Sequence, residues 1–352
     1  MKKKNIIKKL LSVILSAATM FSLLTLPAHA IIPGGDAYSI TTTTMYRYYC
    51  DTQQIEQFEI SNDDDMFPGT STYDFLDYDQ LPNGYNNGDV DMQVIIGSDD
   101  RQPLPPSPFW NMTVLILIGI DTDNDFTANK YSVGSGFLVD ENVMVTAMHS
   151  ICPNGISEDQ ITSAVIYHGI DSQQISYDVA TLIANTESAH ITSVTYDPRY
   201  FIALEAGGYN EAYDWCVVTL DEEIDSYYLD CDIAISSIEG CSAGVIGYPQ
   251  DYFIADDDET NDRYQFWRRI GMGEVISYDG VMLTHDADTK GGQSGGPLLT
   301  DALTSVAVGY GIHISGNSRI DEFGNEIGTE NYARAITPEI YNTIVTIMED
   351  SW

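Results

Sequence analysis

From Val94 onward the chain is a succession of short apolar runs separated by turn residues. Thr113–Ile118, Gly136–Val139, Val143–Thr146, Ala164–Tyr167, Val217–Leu220, Ala243–Ile246 and Val306–Val308 are rich in Val, Ile and Leu. Each is too short for a helix, and no helical repeat lies between them. Many short strands of this kind predict an all-β sandwich or barrel. One helix is expected, at the C-terminus. Thr337-Pro338-Glu339 supplies an N-cap, a proline at the first helical position and an acid in the first turn, and Ile340, Ile344 and Ile347 follow at helical spacing. There are no internal repeats.

Two stretches before Val94 differ in texture. Residues 1–30 have a lysine-rich start, an apolar run from Leu10 to Leu26 and an Ala28-His29-Ala30 end. This is the pattern of a secretory signal peptide, so the remainder is expected to be exported and soluble. Residues 31–93 carry 12 acids and a single base, Arg47, with runs of Thr and Asp and weak apolar periodicity. They read as a pro-segment, a poorly packed arm, with an N-terminal β-module as the alternative.

Charge narrows the function. The 352 residues hold 53 acids and 15 bases, a net −38. Five of those bases are lysines of the leader, and from Val94 on 41 acids face 9 bases. Nucleic-acid binding and adhesion to anionic membranes both need a basic surface, and are excluded as main activities. At 43% hydrophobic residues the chain is nevertheless composed to fold. The five cysteines form no C-x-x-C, so zinc and thioredoxin-type chemistry is not expected; Cys231 and Cys241, ten apart, are spaced to close a small loop.

Three segments carry candidate chemistry. Thr289-Lys-Gly-Gly-Gln-Ser-Gly-Gly-Pro297 sets Ser294 among glycines, where a tight turn exposes a hydroxyl and aims backbone amides into one space. The N–H groups of Gly292 and Ser294 are the candidate oxyanion donors. The same residues fit the G-x-S-x-G elbow of α/β-hydrolases. That fold requires alternating helices and an acid then a histidine after the serine, whereas only His313 follows, 19 residues on. A serine nucleophile needs a base, and Val143-Met-Val-Thr-Ala-Met-His149 places an imidazole at the end of an apolar strand. The base needs an acid to fix its tautomer. Asp214, directly before the apolar run Trp215–Leu220, is the candidate.

Thr146-Ala-Met-His149, Asp214-Trp-Cys-Val-Val and Gly292-Gln-Ser294-Gly-Gly-Pro297, in that order, resemble the chymotrypsin-like serine proteases. Within them the chain is similar to the secreted bacterial glutamyl endopeptidases, through Val94-Ile-Ile-Gly-Ser-Asp-Asp-Arg101 and Gly311-Ile-His313. The resemblance covers about 94–352. It implies two six-stranded antiparallel β-barrels with a C-terminal α-helix, an active site in the cleft between them, and a triad of His149, Asp214 and Ser294. It also implies that Thr289, His313 and the free α-amine of Val94 bind an acidic P1 side chain (the residue before the scissile bond). Residues 31–93 would then be removed by another protease cutting Gln93–Val94, since an enzyme that cuts after Glu does not readily cut after Gln. Protein or peptide substrates, no cofactor and a monomer are expected. Asp288 departs from this pattern: six residues before the nucleophile, trypsin-type enzymes carry the acid that binds Arg or Lys. P1 Arg/Lys specificity therefore remains a second reading, and an inactive binding homologue a third.

Weaker signals point to structure. Asp121-x-Asp123-x-Asp125 starts like a calcium loop, but has Phe126 where Gly is needed and Ser132 where the closing Glu belongs. Asp256–Glu259 reads as a solvated loop. Arg268-Arg269 is a basic pair in an acidic field and reads as a local salt-bridge site.

Overall fold

The computed structural model describes residues 42–61 and 94–351, apart from 53, 105–106, 124–126, 154–159, 171–185, 206–207, 209, 251–252, 255–262, 265–267, 301–306 and 321–325. The leader, the remainder of 31–93 including Gln93, residues 124–126 of the Asp121–Asp125 pattern's loop and Asp256–Glu259 lie outside the described residues. The first half of the chain runs β1 (Thr42–Tyr49), β2 (Ile55–Ser61), β3 (Gln102–Pro103), β4 (Thr113–Ile120), β5 (Lys130–Asp140), β6 (Val143–Thr146), α1 (Met148–Ile151), β7 (Ile161–Tyr167), β8 (Ser188–Ala189), β9 (Ile191–Tyr196), α2 (Arg199–Glu205) and β10 (Cys216–Leu220). The second runs β11 (Ser242–Gly247), β12 (Phe253–Ile254), β13 (Arg263–Tyr264), β14 (Arg269–Tyr278), β15 (Met282–His285), β16 (Pro297–Thr300), β17 (Val308–Ile320), β18 (Glu326–Ala335) and α3 (Pro338–Asp350).

Among the described residues these form a separate two-stranded sheet, β12–β13, and two large antiparallel sheets. The C-terminal one closes into a six-stranded barrel, β11-β16-β17-β18-β15-β14, with β14 pairing back onto β11 and β3 added at its edge. The N-terminal one has nine strands in the order β2-β1-β9-β10-β6-β5-β4-β7-β8. Within it β4, between β5 and β7, has all eight residues buried, as a run of Val, Leu and Ile demands. One apolar cluster fills the N-terminal sheet, with Val114, Ile116, Leu138, Met144 and Val218 among its members. A second fills the barrel around Val245, Val275, Leu283 and Leu298. A third joins the two units: Phe137, Val145 and Trp215 from one meet Ile246, Leu299 and Ile312 from the other, under Ile340, Ile344 and Ile347 of α3.

The terminal helix starts as its sequence predicts, with Thr337 at the cap and Pro338 in the first turn, but the Thr337 hydroxyl makes no capping bond. It faces Arg334 Nη2 at 3.5 Å instead. The helix α2, which no clear periodicity marks, is a single short segment after Asp197-Pro198. Residues 42–61 correct the expectation of a poorly packed arm. They form a hairpin whose Met45, Tyr46, Tyr48 and Ile60 are buried. Both faces of β1 are covered, so no polar alternation appears in the sequence to announce it. All five cysteines are free thiols, so the Cys231–Cys241 loop closure does not occur. Among the described residues, no helix is long and apolar enough to cross a membrane.

Candidate active site

β6 ends at Thr146, whose hydroxyl donates to Ser135 O at 2.7 Å. The chain then turns into α1, which carries His149. β10 pairs beside β6, with Cys216 opposite Thr146. That register brings Asp214, at the end of a 3₁₀ turn over Glu211–Tyr213, against the imidazole. Asp214 is wholly buried. Its Oδ1 accepts the His149 backbone N–H at 2.8 Å and its Oδ2 faces His149 Nδ1 at 2.5 Å. A carboxylate only accepts, so Nδ1 must carry the proton, and Nε2 then presents its lone pair.

The Ser294 loop is fixed on several sides. Gly292 and Gly295 adopt φ of +96° and +82°. A Cβ on Gly295 would fall 2.0 Å from Thr146 Oγ1 and 2.2 Å from Ser135 O, so glycine is required by space as well as by φ. Ser135 N and Ser150 Oγ donate to Ser294 O at 2.8 and 3.1 Å. Ser150 directly follows His149, so this bond ties the base and the serine loop together. Ser294 Oγ, only 3% exposed, lies 3.2 Å from Ile314 O. Gly291 O accepts Gln250 N at 2.7 Å, and Gln293 O accepts Gly296 N at 3.0 Å. Because a trans peptide points N–H opposite to C=O, the amides of Gly292 and Ser294 are directed away from these anchors.

A second group of candidates gathers on the barrel. Thr289 and His313 are fully buried, and among the described residues Thr289 Oγ1 and His313 Nε2 have no hydrogen-bond partner. Val94 reaches the same wall: Thr289 N donates to Val94 O at 3.2 Å. His313 O accepts Gly295 N at 2.7 Å, which sets His313 beside the serine loop. The structure thus brings all seven sequence-predicted site residues into two adjoining groups, His149–Asp214–Ser294–Gly292 and Val94–Thr289–His313.

Three residues that the motifs did not single out belong to this region. Asn331, fully buried, accepts Val94 N at 3.1 Å on Oδ1 and donates from Nδ2 to Val94 O and Ala287 O, each at 2.9 Å. His285, opposite Asn331 in the β15–β18 ladder, lies 3.3 Å by Nε2 from His313 Nδ1. Glu211, just ahead of Asp214, bonds to Ser315 Oγ. No local pattern marks any of them, because cross-strand register places them. Burial pushes the pKa of His285 down to about 3. Burial first, and then the neighbouring histidines, hold His313 well below the usual imidazole value. This setting favours the neutral, hydrogen-bonding form of the His313 imidazole.

Asp288 faces elsewhere. Its carboxylate accepts Ile96 N at 2.6 Å and Asp100 N at 3.1 Å, so it pins the segment after Val94 to the barrel. Burial raises its pKa. Of the Arg268–Arg269 pair, Arg268 is 1% exposed and donates to Trp110 O at 2.5 Å, and Arg269 Nη1 donates to Arg101 O at 3.1 Å. Among the described residues, no group of three or more His, Cys, Asp or Glu is arranged to hold a metal ion.

Comparison with known proteins agrees with this architecture. The family model "Trypsin-like peptidase domain" matches residues 134–308. A solved structure described as a Glu endopeptidase in complex with MPD superposes with a TM-score of 0.50 at 20% identity, covering 73% of this chain and 100% of the other. At that identity the likeness speaks for the fold. No curated protein matches the chain. The family match spans the segments that carry His149, Asp214 and Ser294, and its fold is the one built here from two packed β units. Residues 134–308 are thus a trypsin-like peptidase domain, and the chain that carries it is a serine endopeptidase.

Proposed function

We propose that the protein is an exported, monomeric, cofactor-free endopeptidase that cuts after Glu, or Asp, through an acyl-enzyme on Ser294. His149 takes the serine proton and returns it to the leaving amine. Asp214 holds the imidazole in the tautomer that leaves Nε2 unprotonated, and the Gly292 and Ser294 amides receive the oxyanion. The observation that carries the specificity is the pair of buried groups without partners, Thr289 Oγ1 and His313 Nε2, beside the anchored Val94. A buried polar group without a partner is unfavourable by about 1–3 kcal/mol, and a P1 carboxylate would relieve both. The solved relative that superposes on the chain is itself described as a Glu endopeptidase. The Asp288 carboxylate, already bonded to two backbone amides, gives no support to an Arg/Lys pocket.

With His313 neutral, the positive charge of the pocket comes from Val94 once Gln93–Val94 is cut. An α-amine has a pKa of about 8. Peptide p-nitroanilides ending in Glu, Gln and Arg test this on chain beginning at Val94. Glu is expected to be preferred. Its kcat/KM should fall as pH rises through about 8, as the ammonium loses its proton, while that of the Gln substrate stays level. Preference for Arg would refute the acidic P1 reading.

Cleavage before Val94 is assigned to a separate protease. Purified proform incubated alone should keep its N-terminus, as read by mass spectrometry, and gain full activity only after an added protease exposes Val94. Rapid self-conversion to a Val94 start would overturn that assignment.

A further inference from the structure

The hairpin β1–β2 precedes the Gln93–Val94 bond in sequence, yet it is built into the body of the enzyme. β1 pairs with β9 in antiparallel register, Tyr46 to Tyr49 against Tyr196 to Ser193, and Cys50 N adds a bond to Thr192 O at 2.7 Å. Its side chains enter both layers of the core. Tyr46 and Tyr48 join the cluster inside the N-terminal sheet, while Met45 and Ile60 join the one that packs the two units and α3. Polar contacts reach the last helix as well. Arg47 Nη2 bonds Asp350 at 2.8 Å, and the Arg47 guanidinium lies 5.1 Å from the centre of the Phe58 ring. Thr43 hydrogen-bonds the Glu339 carboxylate.

Glu339 links the hairpin to the active site. The same carboxylate receives Arg199 Nη2 at 3.1 Å and lies 3.8 Å from Arg334 Nη2. Arg199 stacks over the Tyr213 ring at 4.4 Å, and Arg334 Nε donates to Ala212 O at 2.7 Å. Tyr213 and Ala212 form the turn that presents Asp214.

We propose that the hairpin is retained after activation, so that the working enzyme is two chains held together by strand pairing and core packing, with the hairpin as a permanent part of the N-terminal sheet. This rests on the reading that a cut before Val94 activates the protein, but not on P1 specificity. Hairpin strands leave a sheet readily only when few side chains are buried behind them. Here Met45 and Tyr48 are fully buried, and departure would expose the β9 edge together with apolar surface of α3.

The test uses the full chain lacking its leader. Val90→Asp, Met92→Asp and Gln93→Lys turn residues 89–93 into Asp-Asp-Asp-Asp-Lys, at which enteropeptidase cuts to leave a native Val94 start. After complete cleavage, confirmed by mass under denaturing conditions, both pieces should co-elute on size exclusion in native buffer. Hydrogen exchange should show β1 and Ser193–Tyr196 as protected as before the cut. The smaller piece should leave only at urea concentrations that also abolish turnover. Elution of the smaller piece apart from a folded, active 94–352 would overturn the proposal, and so would loss of protection confined to β1 and β9. Glu, Gln and Arg substrates assayed on the same sample report P1 specificity independently, so a wrong pocket and a lost hairpin give different results.

Discussion

Ser294→Ala is expected to lower kcat by about a million-fold while leaving peptide binding nearly unchanged. In the proposed mechanism the hydroxyl is the group that forms the acyl bond, and water at its place lacks both proximity and the His149 base. The surrounding loop should not shift. Its anchors are backbone atoms and neighbouring side chains: Ser135 N and Ser150 Oγ on Ser294 O, and Gly295 N on His313 O. The variant therefore separates chemistry from fold. Steady-state turnover of the Glu substrate, together with binding of a labelled peptide measured by fluorescence anisotropy, checks both halves. Turnover retained within tenfold would place the nucleophile elsewhere.

Asp214→Asn should reduce kcat by about ten-thousandfold with little change in KM or thermal stability. The carboxylate uses one oxygen for the His149 backbone N–H and the other for Nδ1. Asparagine has only one acceptor. The backbone N–H cannot change its role, so the amide oxygen must stay with it and the NH₂ must face Nδ1. The ring then accepts at Nδ1 and carries its proton on Nε2, where the lone pair is needed to deprotonate Ser294. Near-isosteric replacement at a wholly buried position keeps the packing. Kinetics over a pH range and a thermal melt test this, and a loss of less than tenfold would show that Asp214 does not set the tautomer.

How legible this site was depends on what each residue needs around it. His149, Asp214 and Ser294 stand at strand ends next to short, chemically constrained neighbours, so their surroundings can be recognised along the chain. Gly292 and Gly295 are visible for the same reason, since their positive φ leaves few alternatives. The partners of Val94 are of another kind. Asn331 is 237 residues away and meets Val94 only because β18 and β15 pair in one register. His285 likewise looks ordinary in sequence, and Asp288 suggests a pocket acid there, whereas in the closed barrel it holds the backbone of Ile96 and Asp100. The barrel itself was foreshadowed by its apolar runs. The hairpin was not, because Thr42–Tyr49 mixes threonine and tyrosine on two covered faces, and a strand buried on both sides has no period-2 signature.

The absence of disulfides among the five cysteines gives this enzyme a particular relation to its medium. Burial, with nearby acids, pushes the thiols of Cys50, Cys152 and Cys231 up to about 12, so they hold almost no thiolate near neutrality. Folding then requires no oxidising machinery, and a reducing environment has no covalent cross-link to break. No covalent cross-link ties the stability of this fold to the ambient redox potential.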